Sequence, residues 1–171
     1  MDFNKFLEKD SVRDLIAQNN LERVYELLPA VYRPEFSNYL RSMGVNALEY
    51  LVSYIPRYAF DTLATLPSTI HINDSVTHIM QGAFSTNMWI ESVVLPASLI
   101  KVAPNAFANC SNLTTFIYPG TVDELRAVTF GKNWFNLGMP IVKCSDDICT
   151  ITHTGEIMDK SFIQKGNQYG K

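Results

Sequence analysis

Apolar residues recur along the middle of the chain at wide, regular intervals. Phe60, Phe84, Phe107 and Phe130 close the stretches "IPRYAF", "IMQGAF", "VAPNAF" and "LRAVTF" at a nearly constant spacing. An aliphatic residue stands five positions before each of them: Ile55, Ile79, Val102 and Leu125. Leu66, Ile90 and Leu113 follow the first three at six positions. Next come alternating pairs, Ile70 and Ile72, Val93 and Leu95, Phe116 and Tyr118, and then Val76, Leu99 and Val122. The columns stay aligned once the first copy is allowed one extra residue near Pro67. Each copy therefore predicts one short strand, in "TIHIN", "SVVLP" and "TFIYP", with turn elsewhere.

The period, about 23 residues, lies in the range of leucine-rich repeats. One such coil cannot bury its own apolar side. Stacked coils can, with the Phe, Ile and Leu columns meeting in a continuous core. The stretch "GAFSTNMWIESVVLPASLIKVAPNAFANCSNLTTFIYPGTV" resembles the BspA-type leucine-rich repeats. Their pattern of an aliphatic residue, Ala-Phe, Asn-Cys-x-x-Leu and a strand ending in Pro is matched by Ala106, Phe107, Asn109, Cys110, Asn112, Leu113 and Pro119. The resemblance runs over about residues 54–150, through "YPGTVDELRAVTFGKNWF" into "IVKCSDD". It implies a recognition scaffold and brings no catalytic motif. Many members of that family carry more copies and are exported.

The ends have other rhythms. "DSVRDLIAQNN" offers Asp10 or Ser11 as a helix cap, with Val12, Leu15 and Ile16 on one face. "NLERVYELLP" starts at the cap Asn20, and "PEFSNYLRSMG" and "VNALEYLVSYIP" complete three or four short amphipathic helices. "IVKCSDDICTIT" reads as a hairpin, and "DKSFIQKGNQYGK" as a polar tail. The expected organisation is a helical N-terminal cap over residues 1–53, a solenoid over 54–143, and a C-terminal hairpin and tail over 144–171. This is an α+β chain built around a leucine-rich-repeat solenoid of about three to four coils, with an α-helical cap and a β-hairpin cap.

Composition narrows the function. The 171 residues are 47% hydrophobic and 18% charged with a net charge of −3, an ordinary globular balance that disfavours phosphate-neutralising nucleic-acid binding. No apolar run approaches the roughly 20 residues of a membrane span. The N-terminus lacks the basic start and apolar stretch of an export signal, so a cytoplasmic location is expected, or a virion or host cytoplasm for a viral chain. Asn73, Asn109 and Asn112 each begin an Asn-x-Ser/Thr triplet, read as turn composition in a chain without a signal. Cys144 and Cys149 flank "SDDI", and both a disulfide and two thiols stay open, the missing export signal favouring thiols.

Candidate chemistry is sparse. His71, His78 and His153 are scattered without metal-ligand spacing, and Asp146 and Asp147 are read as turn formers. No nucleophile elbow, P-loop or dinucleotide fingerprint occurs. No metal, cofactor or enzymatic activity is expected. The surface offers more. If the alternating pairs point inward, His71, Val94 and Ile117 stack outward, flanked by Thr69, Ser92 and Thr115, with Trp89 in the column of Thr65 and Asn112.

His71, Val94, Ile117, Trp89, Ser92 and Thr115 are therefore the expected contacts for a protein partner. Three or four strands at about 4.8 Å, each about 13 Å long, give a face of only about 200–250 Å². The expected function is a non-catalytic protein-binding module, monomeric or a small homo-oligomer, such as an inhibitor or adaptor. The alternative is a structural, assembly-forming part, with a small enzyme the remotest reading.

Overall fold

The repeated columns become two ladders of parallel strands. The computed structural model describes residues 3–18, 20–29, 54–55, 57–62 and 66–161. Strands β2 (Thr69–His71), β4 (Ser92–Val94) and β6 (Thr115–Ile117) are the expected alternating segments. They pair in parallel, placing Ile70, Val93 and Phe116 side by side. β8 (Ile141–Lys143) continues the ladder, with Val142 beside Phe116. The antiparallel strands β9 (Ile148–Ile151) and β10 (Ile157–Asp159) extend the sheet to the order β10-β9-β8-β6-β4-β2.

The second ladder lies in a region the repeat pattern assigns to turn. The aliphatic residue five positions before each Phe forms a two-residue strand: β1 (Tyr54–Ile55), β3 (His78–Ile79) and β5 (Lys101–Val102). Together with β7 (Thr129–Phe130) they form a parallel sheet in the order β1-β3-β5-β7. Two residues are too few to show an alternation, so these strands exist only because neighbouring coils supply the hydrogen bonds. Of the helix expected over "VNALEYLVSYIP", residues 45–53 lie outside the described residues, and Tyr54–Ile55 are strand instead.

The fourth coil departs from the expected register. Phe130 pairs with Val102 in the aliphatic column and does not continue the Phe column. The one-turn helix α4 (Val122–Leu125), not anticipated from the sequence, takes up the extra length. Its cap is a reciprocal box: Glu124 N donates to Thr121 Oγ1 at 3.1 Å, and Thr121 N donates to Glu124 Oε2 at 2.7 Å. Trp134 then carries the aromatic stack onward.

That stack is the spine of the core. Phe60 and Phe84 lie 5.4 Å apart and nearly parallel, and Phe84 and Phe107 lie 5.1 Å apart at 4°. Phe107 meets Trp134 edge-on at 6.4 Å and Phe116 at 5.2 Å. Every ring in the stack is buried. Beside it Asn87, 1% exposed, donates through Nδ2 to Phe60 O and Phe84 O, both at 2.7 Å. Cys110, one coil on, takes the same place and donates through Sγ to Phe84 O at 3.1 Å. This column satisfies carbonyls that a chain turning this tightly cannot pair through its own backbone.

Closing each coil requires left-handed backbone at two columns. Tyr58, Gly82, Asn105 and Asn133 occupy one and Thr62, Thr86 and Asn109 the other, with φ between +55° and +64°. Gly82 is doubly constrained, since a Cβ there would stand 2.3 Å from the Tyr58 ring. Thr86 is the costly choice, because a β-branched residue disfavours φ +59° while Asn109 adopts the same φ one coil later. Its side chain is exposed. Thr86→Asn is expected to stabilise the fold by about 0.5–1 kcal/mol, read as a higher denaturation midpoint. A lower midpoint would show that the threonine holds a contact worth more than the strain.

The N-terminal helices are α1 (Phe3–Leu7), not anticipated, α2 (Asp10–Ala17) and α3 (Leu21–Leu27). Phe6, Val12, Val24 and Leu28 join the same core as the coils, with Leu15 and Ile16 packed against it. Tyr54 Oη donates to Glu26 Oε1, tying α3 to β1. That bond, and the Arg23 guanidinium, hold the Glu26 carboxyl below its usual range. Asn20 caps α3 as expected, its Oδ1 accepting from Arg23 N at 3.2 Å. At α2 the cap position is Lys9, without a side-chain bond, and Asp10 is the first helical residue. The helix expected in "PEFSNYLRSMG" lies outside the described residues.

Candidate protein-binding face

One face of the six-stranded sheet is buried and the other meets solvent, because strand side chains alternate. The outward rows follow from the register. One row runs His71, Val94, Ile117, Lys143, Ile148. The other runs Thr69, Ser92, Thr115, Ile141 and ends there, because Thr150, next in register, is 2% exposed and donates through Oγ1 to Pro140 O at 2.7 Å. The expected residues His71, Val94, Ile117, Ser92 and Thr115 are thus adjacent on one ladder. His71 and Ile117 are exposed, and Val94, Ser92 and Thr115 are half-buried. Trp89, 55% exposed, stands apart, on the turn that leads into β4. Thr65, assigned to its column, lies outside the described residues.

The two halves of the face differ in chemistry. Toward β2 it is hydroxylic, with Thr69 Oγ1 and Ser92 Oγ 2.9 Å apart. Toward β9 it is aliphatic, with Ile117, Ile141 and Ile148 each 37–40% exposed. Lys143 stands among these three: Ile117 and Ile148 are its cross-strand neighbours, and Ile141 is two residues earlier on its own strand. Sequence reasoning missed Ile141, Lys143 and Ile148 by treating β8 and β9 as a terminal closure. The signal was present, since Ile141, Val142 and Lys143 repeat the out-in-out alternation of Thr115, Phe116 and Ile117.

The acidic residues of the β8–β9 turn are held elsewhere. Asp146 Oδ1 accepts from Val122 N at 2.9 Å, so it tethers α4. Asp147 accepts from Ile148 N at 2.8 Å and from Lys160 Nζ at 3.4 Å, and these contacts lower its carboxyl below the ordinary value. Both are turn residues with structural partners. The thiols are quiet for a different reason. Burial pushes Cys110 up to about 11 and Cys149, helped by neighbouring Cys144, up to about 12, and all three cysteines are free. A thiol so raised stays protonated and unreactive near neutrality.

His71, His78 and His153 fall on β2, β3 and the β9–β10 turn. Thr77 Oγ1 lies 2.9 Å from His78 Nδ1. Among the described residues no group of three or more His, Cys, Asp or Glu side chains is placed to hold a metal ion. No helix of the described residues is long and apolar enough to cross a membrane.

Coils of near-constant length, two parallel ladders, an Asn/Cys column and an aromatic spine define a short leucine-rich-repeat solenoid with N-terminal helices and C-terminal strands. A family model described as the BspA type leucine rich repeat region (6 copies) matches residues 35–147, and the chain belongs to that family. The match begins ahead of residue 54, where the repeat pattern first becomes regular. No curated protein and no solved structure matches the chain.

Proposed function

We propose that this protein is a non-catalytic protein-binding module that uses the outward face of the six-stranded sheet, acting as an inhibitor or adaptor of a cellular protein. The observation that carries the reading is the aliphatic cluster on that face. Val94, Ile117, Ile141 and Ile148 leave apolar surface in water on a rigid, hydrogen-bonded platform, where a partner gains by covering it. His71, Ser92 and Thr115 supply polar contacts that set orientation, and Trp89 and Met88, both 55% exposed, extend the apolar surface at the approach to β4.

Size limits the mode of binding. Six strands at about 4.8 Å spacing, each about 10 Å long, give a platform on the order of 300 Å². A standard interface takes about 800 Å² from each partner. The sheet therefore supplies the centre of a contact whose margins fall on the coil edges, or it receives a short segment.

A pull-down from lysate of the source organism, run with wild type and with Val94→Asp/Ile117→Asp, tests the reading. Both side chains point away from the core, so the variant is expected to keep its melting curve. The expected result is a protein captured by wild type and lost, by tenfold or more, with the variant. Equal capture would move the site to the helices or coil edges. Recovery of only the bait, with light scattering showing large assemblies at micromolar concentration, would favour the structural alternative.

A further inference from the structure

A cation in the middle of an apolar cluster is ordinarily neutralised by an acidic neighbour. Lys143 has no neutralising neighbour among the described residues. Its ammonium makes no ion pair and no side-chain hydrogen bond there, while the ion pairs present are Arg23–Glu26, Arg126–Asp123 and Lys160–Asp147. The two acids nearest along the chain, Asp146 and Asp147, are taken by Val122 N, Ile148 N and Lys160. Lys143 is exposed and ringed on three sides by Ile117, Ile141 and Ile148.

We infer that the segment bound at this face carries a carboxylate between large apolar side chains, and that Lys143 receives the carboxylate while the three isoleucines take the flanking groups. The inference rests on the protein-binding reading above and specifies the partner's chemistry. Two features of the surface select this occupant. Charge is the first, since covering the isoleucines would strip water from Lys143 at a cost that an opposite charge offsets most directly. Area is the second, since the platform is below half of what a folded partner's surface needs and fits a segment of extended chain. Such a segment rises about 3.3 Å per residue, so about seven to nine residues would cross all six strands. Its alternate side chains would face the sheet.

Selection from a displayed random-peptide library tests this, using the full chain as bait and Lys143→Glu and Ile117→Asp in parallel. Lys143 is exposed and contributes to the ladder through its backbone, so Lys143→Glu is expected to fold normally, as its melting curve will show. The expected consensus for wild type is Asp or Glu with aromatic or aliphatic residues within two positions on both sides. A synthetic peptide of that consensus is expected to lose about five- to tenfold in affinity against Lys143→Glu and to weaken with added salt. Selection on Lys143→Glu is expected to exchange the acid for Lys or Arg.

A wild-type consensus without an acid, or one unchanged by Lys143→Glu but lost with Ile117→Asp, overturns the inference and leaves the face as a binding site. Enrichment of no peptide also overturns it, whereas the protein-binding reading then stands or falls on the pull-down.

Discussion

Phe107→Ala is expected to remove about 3–5 kcal/mol of stability, the cost of a large cavity in a packed core. The ring is enclosed by aromatic neighbours on three sides. It stacks on Phe84 at 5.1 Å, meets Phe116 at 5.2 Å and Trp134 at 6.4 Å, and is fully buried. The aromatic contacts therefore join the second, third and fourth coils, and truncation opens all three at once. Each coil depends on its neighbours for burial, so the vacancy cannot be closed by a local shift of one loop.

A domain of this size holds about 5–15 kcal/mol in total, so the loss removes about a fifth of it at the least and nearly all of it at the most. Equilibrium denaturation would show a large fall in midpoint with an unchanged slope. Trp89→Ala, at a ring 55% exposed, is the comparison, with an expected change within about 0.5 kcal/mol. A loss below about 1 kcal/mol at Phe107 would mean that the stack can slide shut, contrary to a core fixed by two ladders.

Asn87 supports the same core through hydrogen bonds instead of area. Asn87→Leu keeps the shape closely but leaves the Phe60 carbonyl without the donor it has at 2.7 Å, and the Phe84 carbonyl with the Cys110 thiol alone. Buried carbonyls deprived of a partner cost about 1–3 kcal/mol each, less whatever the added hydrocarbon returns. The expected loss is about 1–3 kcal/mol. Asn87→Cys is expected to lose clearly less, because Cys110 meets the same demand one coil later by donating to Phe84 O. Thermal melts of the two variants decide the point. Equal losses would show that the column is a matter of packing, with the hydrogen bonds incidental.

The two substitutions also show why the repeat was readable from the chain alone. Phe60, Phe84 and Phe107 recur because the stack needs one ring per coil. Ile70, Val93 and Phe116 recur because each fills the same place behind the sheet. A column that must be apolar in every coil leaves a periodic trace. The outward residues between them, His71, Val94 and Ile117, could be placed by alternation for the same reason. At the fourth coil the demand changed. Trp134 replaced the Phe, α4 lengthened the loop, and Phe130 fell into the aliphatic column, so spacing alone misaligned it. The capping box of Thr121 and Glu124 marked the insertion, but a helix of four residues leaves no periodicity to confirm it.

Linear spacing was sufficient for the coil length, the core columns, the alternation of β2, β4 and β6, and the helical character of the N-terminus. These are local or repeated demands of burial, each written at a fixed distance along the chain. The narrow sheet, the entry of β8, β9 and β10 into the wide one, and the ring of isoleucines around Lys143 were decided only by folding. They depend on which coil lies beside which and in what register, and the hydrogen bonds that set that register join residues more than twenty positions apart, or antiparallel strands whose turns have no repeat.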